Sequence, residues 1–363
     1  MEFIFNKNAG HYYKSSKKLF LPVEIIDSIE GFFFQLGKKN YFFRGFITPL
    51  NNSCSESLAQ NKYCANKVLE GGGIPVPKAA AIHIDTFKLG LMDEIMADLT
   101  FPLVVKPTFG ALGIDVVCNI TDMDQLTIEL TRLFSTNDLL TLEEFHGNMN
   151  SYRILVLNKK IIGVIQRYPA RVLGDGQHTI TELIASMNIE RQQSGDELAP
   201  IVIDNECHIR LRKLGITPEY IPKQQELVIL CYTSNASRGG TYQALSSKMC
   251  KQNRQLFIKT VSLLNLNIAG IDVECVDLDT PITHHSDGVI IEVNPNPSIR
   301  IHENPQYGKP TRVTGKVIRS IIYRHPGSYF YVLYKNKNTA PYIRSLMALP
   351  LLIALYLFVK VIV

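Results

Sequence analysis

The chain has 363 residues, 46% of them apolar and 20% charged, with 38 Lys and Arg against 33 Asp and Glu for a net charge of +5. This balance excludes a disordered chain, a collagen-like repeat and a multi-span membrane protein, and the length suits two or three folded units. The surplus permits an anionic small-molecule ligand, but no dense basic stripe is visible, so no nucleic-acid partner is expected.

The first residues, MEFIFNKNAGHYYKSSKK, contain no apolar run of signal-peptide length, so secretion is not expected. Residues 1–57 are aromatic and basic, with phenylalanines at 32, 33 and 34, and read as a small leading module without an evident fold. From 58 the pattern sharpens: Leu58, Ala65, Val68 and Leu69 fall on helical spacing, Gly71–Gly73 stop that helix, and IPVP begins an extended segment. FPLVVKP (101–107) and IDVVCNI (114–120) read as strands around a glycine-bearing loop, TFGALG. Thr121-Asp122-Met123-Asp124 resembles a capping box opening a helix to about 135, and LLTLEEF (139–145) reads as a third strand.

YRILVLN and IIGVIQRYPA, separated by Lys159-Lys160, form a hairpin by spacing, and a Gly174-Asp175-Gly176 turn leads into the helix TITELIASMN. A charged, loop-rich stretch (190–226) is followed by the strand LVILCY, a polar loop SNASRGGTYQ, a helix over about 247–266, the strands IAGIDVECV and VIIEVN, and a final helix TRVTGKVIRSIIY. Hairpins mixed with helices predict an α+β fold rather than a doubly wound parallel sheet. Seven cysteines, with no C-x-x-C pair and no close histidine, indicate neither a disulfide framework nor a zinc site, and a reducing, cytoplasmic setting is expected.

The most informative chemistry lies in the last strand pair. Side chains alternate along a strand, so Glu292 and Asn294 share one face while Val293 takes the other. Asp272, between Ile271 and Val273 on the preceding strand, would bring a third hard oxygen, a set suited to Mg²⁺ with Mn²⁺ as the alternative; Glu274 is the runner-up. A solvated polar sheet face would read the same way. Lys106 ends the strand LVVK beside Gly110 and Gly113, where an ammonium and closely approaching backbone amides can meet phosphates; an ordinary turn with a surface lysine is the bland alternative.

Lys62 by itself is a solvated helix-face residue. Glu143, Glu144 and Phe145 could offer an adenine amine a carboxylate and backbone groups with a ring to pack on, or could simply cap a strand. Arg153 and Arg167 lie one on each hairpin strand, where they would be solvent-facing or, turned inward, an anion clamp. His302 reads as a polar turn residue, and His284-His285 as exposed.

Taken in order, LVVKPTFGALGIDVV, LEEFHG, YRILVLNKKIIGVIQRYPARVLGDGQHTITELI, SNASRGG, AGIDV and IIEVNPNPSIRIHENPQYGKP resemble the ATP-grasp ligases, in particular the ATP-grasp portion of cyanophycin synthetase and of bifunctional bacterial glutathione synthetase. The resemblance runs from about 58 to 323. It implies two α+β subdomains enclosing ATP, with Lys62 and Lys106 on the nucleotide phosphates, Glu143 toward adenine, and Asp272, Glu292 and Asn294 as Mg²⁺ ligands.

It further implies ATP-dependent joining of a carboxylate to an amine through an acyl phosphate, on amino-acid or small peptide substrates, with Arg153, Arg167 or Arg238 holding the carboxylate or acyl phosphate. The sequence departs from the family at Asn150-Ser151, where an acidic residue usually meets the ribose, and at Ser237-Arg238-Gly239-Gly240, usually Ser-Thr-Gly-Gly. A nucleotide-binding pseudoenzyme or membrane-attached scaffold is the alternative function.

The expected organisation is a leading module (1–57), an ATP-grasp domain (58–324) with a lid over about 101–145, a linker (325–344) and an apolar segment (345–363). Ser345 to Val359 carries no charge, and Lys335, Lys337 and Arg344 precede it, so a membrane contact with the ligase domain on the cytosolic side is expected. Fifteen uncharged residues fall short of the ~20 that cross a bilayer core. Nothing in the pattern decides for or against an oligomer.

Overall fold

The computed structural model describes residues 7–110, 113–147, 149–193 and 198–362. They form two compact units, one from the two ends of the chain (residues up to Pro49, Ser298–Arg300, and Arg312 onward) and one from Leu50–Pro297 with Ile301–Thr311.

In the first unit, helix Lys7–Lys18 accompanies an antiparallel sheet of Val23–Ile26, Gly31–Leu36 and Lys39–Arg44. The phenylalanine triplet is therefore a strand: Phe32, Phe34 and Leu36 are buried while Gln35 between them is exposed. Phe32 stacks on Phe43 at 5.0 Å between ring centroids, and Phe34 on Tyr41 at 5.7 Å, cross-strand pairs that stabilise a small sheet.

The helix expected from TRVTGKVIRSIIY is Val313–Ile322, but it packs in this unit, where Thr314 Oγ1 lies 2.6 Å from Ser15 Oγ. The presumed linker holds a helix of its own, Pro326–Lys335, with Pro326 in the first turn, where a missing N–H does no harm. His325, just ahead of it, bonds Tyr41 Oη through Nε2 at 2.6 Å, and Tyr329 Oη donates to the Leu19 carbonyl. A long apolar helix, Ala340–Ile362, follows.

The second unit contains a four-stranded antiparallel sheet, ordered Ala79–His83, Leu139–Glu144, Leu103–Pro107, Val117–Ile120. It also contains a six-stranded sheet, ordered Gly288–Asn294, Ile268–Cys275, Asn150–Leu157, Lys160–Tyr168, Thr241–Leu245, Tyr307–Gly308. The main core lies between the six-stranded sheet and three helices, Ser53–Gln60, Lys62–Gly71 and Lys251–Leu263, and includes Ile154, Val156, Phe257, Val261, Ile271 and Val273. Helix Met123–Leu133 buries Leu126, Leu130 and Leu133 in the core of the smaller sheet; Asp122 caps it by accepting from Gln125 N–H, and Gln125 reaches back to Thr121 N–H.

Four details differ from the sequence reading. The helix expected from 58 is two helices, because Asn61 ends one in an extended conformation and caps the next by accepting from Cys64 N–H. The hairpin turns at Asn158-Lys159, both with positive φ (46° and 60°), the two-residue turn whose twist matches the strands. The stretch 190–226 contains helix Asn205–Lys213, capped by Asp204 and burying Glu206, Cys207, Ile209 and Leu211; its residues 194–197 lie outside the described residues. The polar loop SNASRGGTYQ ends in the strand Thr241–Leu245.

Candidate active site

Strand register places two rows of polar side chains on one face of the six-stranded sheet. In the first, Glu292, Asp272 and Arg153 stand directly opposite one another across three strands. In the second, Glu274, Ser151 and Arg167 do the same. Directly opposed residues of antiparallel strands share a face, so the two rows lie side by side. Asn294 pairs with Gly270, where a Cβ would stand 2.9 Å from Arg153 Cδ; the glycine leaves the arginine room to lie along the sheet.

A bidentate clamp dominates this face. Arg153 donates to both carboxylate oxygens of Asp272, through Nε to Oδ1 and through Nη2 to Oδ2 at 2.8 Å, while Arg167 Nη1 donates to Oδ2 at 3.0 Å. Arg167 Nη2 also donates to Ser151 Oγ at 3.0 Å. Burial alone would raise the Asp272 carboxyl, but the two guanidinium groups outweigh it and hold the group below the usual range. Glu274 is pushed up to about 7 by burial, with Arg167 opposing, Asp272 adding and Lys106 opposing more weakly. Both hairpin arginines thus face inward, and Asn150 turns away, donating to the Val276 carbonyl.

Lys106 and Glu143 meet in a way the sequence did not suggest. They lie on neighbouring strands, 4% and 3% exposed, with Nζ to Oε2 at 2.7 Å. Glu143 therefore does not present a free carboxylate to a base, and Lys106 is not a surface lysine. Glu144 is also occupied, accepting from the Thr100 amide and hydroxyl at 3.1 and 2.7 Å. The amide of Phe145 donates to the Pro102 carbonyl at 2.8 Å, and its ring meets Tyr232 edge-on at 5.3 Å. What remains at this hinge is the Phe145 carbonyl, which accepts no hydrogen bond among the described residues and suits an amine donor.

Beside it a cavity of about 380 Å³ is lined by Pro102, Asn119, Phe145, Gly147, Arg210, Lys213 and Tyr232. Arg210 lies 4.8 Å over the Tyr232 ring, and Asn119 donates to the Tyr232 hydroxyl at 2.7 Å.

Lys62 opens its helix at the end that favours anions, and its Nζ donates to the Gly110 carbonyl at 2.7 Å, tying the glycine loop down. Burial lowers its ammonium, with Glu292 and Glu143 opposing and Lys106 adding. Gly113, at φ +70°, has Asn235 Nδ2 only 2.9 Å from where a Cβ would stand, so a side chain there would be strained and would displace that amide. Ala111 and Leu112 of the loop lie outside the described residues.

Arg238 stands apart from the first group. Its guanidinium is taken up by Asp204 and Glu206, and Glu206 also accepts from the Tyr232 and Thr233 amides at 2.8 Å. A substrate-facing role is therefore not what its contacts support; it fastens the SNASRGG loop to the helix after Asp204. Of the residues the sequence reading passed over, Asp204 had a signal, an N-cap before ECHIRLRK, whereas Tyr232 and Asn119 had none. His302 is fully buried rather than in an open turn, its Nδ1 2.6 Å from where a Cβ on Gly163 would stand, and His285, exposed as expected, bonds the Val76 carbonyl at 2.8 Å.

The residues fit a hard divalent cation. The Glu292 carboxylate is in no side-chain hydrogen bond or ion pair among the described residues, and Asn294 has a buried amide nitrogen with no partner there, as expected of a side chain placed for its oxygen. Asp272 would be shared with the arginines. No cluster of three His, Cys, Asp or Glu suited to a metal occurs among the described residues.

Residues 59–217 match the family model of the RimK-like ATP-grasp domain. Cyanophycin synthetase of Trichormus variabilis is 30% identical over 264 residues, 72% of this chain and 29% of the relative. The bifunctional glutathione biosynthesis protein GshAB of Enterococcus faecalis is 29% identical over 307 residues, 82% of this chain and 40% of the relative. The crystal structure of a bifunctional glutathione synthetase from Pasteurella multocida superposes with a TM-score of 0.60 at 22% identity, covering 88% of this chain and 44% of that one. The chain thus spans less than half the length of these relatives, and its match to the RimK-like ATP-grasp domain lies in residues 59–217.

Proposed function

We propose that the chain is an ATP-dependent ligase that joins a carboxylate to an amine on amino-acid or small peptide substrates. The observation that carries this reading is the two-row sheet face, where Glu292, Asp272 and Asn294 lie beside the inward arginines Arg153 and Arg167. A substrate carboxylate oxygen attacks the γ-phosphorus in line, the bond to the bridging oxygen breaks, and ADP leaves with an acyl phosphate formed. The amine then attacks the acyl carbon, phosphate departs, and the amine's proton passes to solvent or a base.

Lys62 anchors the loop over the phosphates, and Arg153 and Arg167 have charge to redirect toward an incoming anion. Mg²⁺, or Mn²⁺ in its place, would be held by Glu292, Asn294 and Asp272, and when bound it neutralises phosphate oxygens. Retention of the lysines, arginines and oxygen set favours an active enzyme over a pseudoenzyme.

The test is ADP release by purified protein given ATP, Mg²⁺ and pooled amino acids, with hydroxylamine present to trap the acyl phosphate as a hydroxamate. Substrate-dependent ADP and hydroxamate are expected; ATP binding without either product would overturn the reading.

We also infer membrane attachment through Ala340–Lys360. An 18-residue window of this helix has a mean hydropathy of 1.9, and none of that window is buried. At 1.5 Å per residue the 21 residues reach about 31 Å, enough for a ~30 Å hydrocarbon core. Helicity thus begins five residues ahead of the uncharged run, with Arg344 and Lys360 toward its two ends. Fractionation of cells expressing the full chain or one ending at Asn338 tests this: equal recovery in the soluble fraction would overturn it.

A further inference from the structure

The net charge of +5 conceals a division. The unit made of the chain ends holds 16 Lys and Arg against four Asp and Glu, a net +12, and from Arg312 onward it has eight cations and no acid. The unit with the sheet-face site holds the remaining 22 cations and 29 acids, a net −7. Fifteen of the sixteen cations in the first unit are exposed, Arg300 being the exception.

The cations near the apolar helix alternate with exposed aromatic rings. Tyr323, Tyr331 and Tyr342 are 74, 60 and 78% exposed, Lys335 lies 5.6 Å over the ring of Tyr331, and Arg344 lies 4.9 Å over that of Tyr334. Tyrosine with a cation stacked on it, at the polar end of an unburied apolar helix, is the chemistry of a headgroup layer: the ring takes the interface and the ammonium or guanidinium takes phosphate.

From this we infer that the cationic unit recognises anionic phospholipid, the headgroups meeting Lys335, Lys337 and Arg344, so that attachment is selective for a negatively charged leaflet. The inference rests on the membrane attachment proposed above. A second copy of this chain is the less suitable occupant, since two units of +12 repel, whereas a leaflet of negative headgroups attracts each exposed cation within a Debye length.

The test offers the full chain, at low ionic strength, a mixture of two vesicle populations separable by density, one of phosphatidylcholine alone and one with about a third phosphatidylglycerol. The chain is expected on the anionic vesicles by at least about tenfold, with the preference shrinking as salt is raised. A full-length variant carrying Lys335→Gln, Lys337→Gln and Arg344→Gln should still float but lose most of the preference; these side chains are exposed, so unchanged circular dichroism is expected. Equal distribution of the native chain at low salt overturns the charge inference while leaving attachment intact. Failure to float with either population overturns attachment itself. An unchanged preference in the triple variant removes these residues from the role, and self-association without lipid preference favours a second copy instead.

Discussion

In the unit that carries the sheet-face site, the defining charges are buried or half-buried and matched: Lys106 with Glu143, Asp272 between Arg153 and Arg167, Arg238 between Asp204 and Glu206. In the unit made of the chain ends, the cations outnumber acids four to one and all but Arg300 are exposed. Buried pairs hold geometry, and losing one partner strands the other in a poor solvent. Exposed cations are screened, individually weak and effective in number. The same residue types therefore serve position in one unit and attraction in the other.

The largest expected difference follows from removing one lysine in each unit. Lys106→Met should destabilise the protein by about 3–5 kcal/mol in denaturant titration, and adding Glu143→Leu should recover much of that, because the stranded carboxylate is gone. Lys38→Gln, at an exposed site in the other unit, should change stability by no more than about 0.5 kcal/mol. Similar losses for both would break the comparison.

Next comes pH. Glu274 titrates near 7 when folded and near its ordinary 4.5 when unfolded, so between these values the native state keeps a proton that the unfolded chain has lost. Its contribution is full below about pH 4.5 and is lost as pH rises through 7, a fall of about 3 kcal/mol that Glu274→Gln should abolish. Stability curves of the two proteins against pH, superposing without correction, would show that Glu274 is not the group responsible.

Glu292→Gln should lower ADP release by about 10²-fold or more while leaving the melting temperature nearly unchanged, since the amide keeps the shape and removes only the charge. Wild-type rates in that variant would remove Glu292 from the metal set. The smallest effect is at Asn61: replacing this cap with Ala should cost about 1 kcal/mol and loosen Lys62, read as a weaker affinity for ATP in calorimetry. An affinity left intact despite the stability loss would separate the cap from the site.

Where strands follow one another closely in sequence, fold and site were legible. The hairpin, the GIDVE and E-x-N strands and the inward potential of Arg153 and Arg167 all follow from alternation and spacing. Lys106–Glu143 was not legible, because it depends on two strands 37 residues apart becoming neighbours. Helix Asn205–Lys213 hid because its buried Cys207, Ile209 and Leu211 recur every second residue, a strand-like spacing on a helix. The leading sheet hid because three consecutive phenylalanines mask a period of two. Arg238 misled for a simpler reason: a cation next to paired glycines suggests an anion site, and only the fold reveals that Asp204 and Glu206 already supply one.

One irregularity in the six-stranded sheet has a consequence for how such a site changes over time. Asp272 pairs with Glu292 but Val273 pairs with Ile290, so Ile291 is an extra residue absorbed by a bulge. Ile290 and Val293 both enter the core although strict alternation would send them to opposite faces, while Glu292 and Asn294 escape it. The strand therefore runs in two phases, one on each side of the bulge, with a single residue of slack between them. A change of length at 291 acts on that slack like a vernier with two scales: any shift of Glu292 and Asn294 along the sheet carries the core residue Val293 with it, so the interior holds the polar face in register.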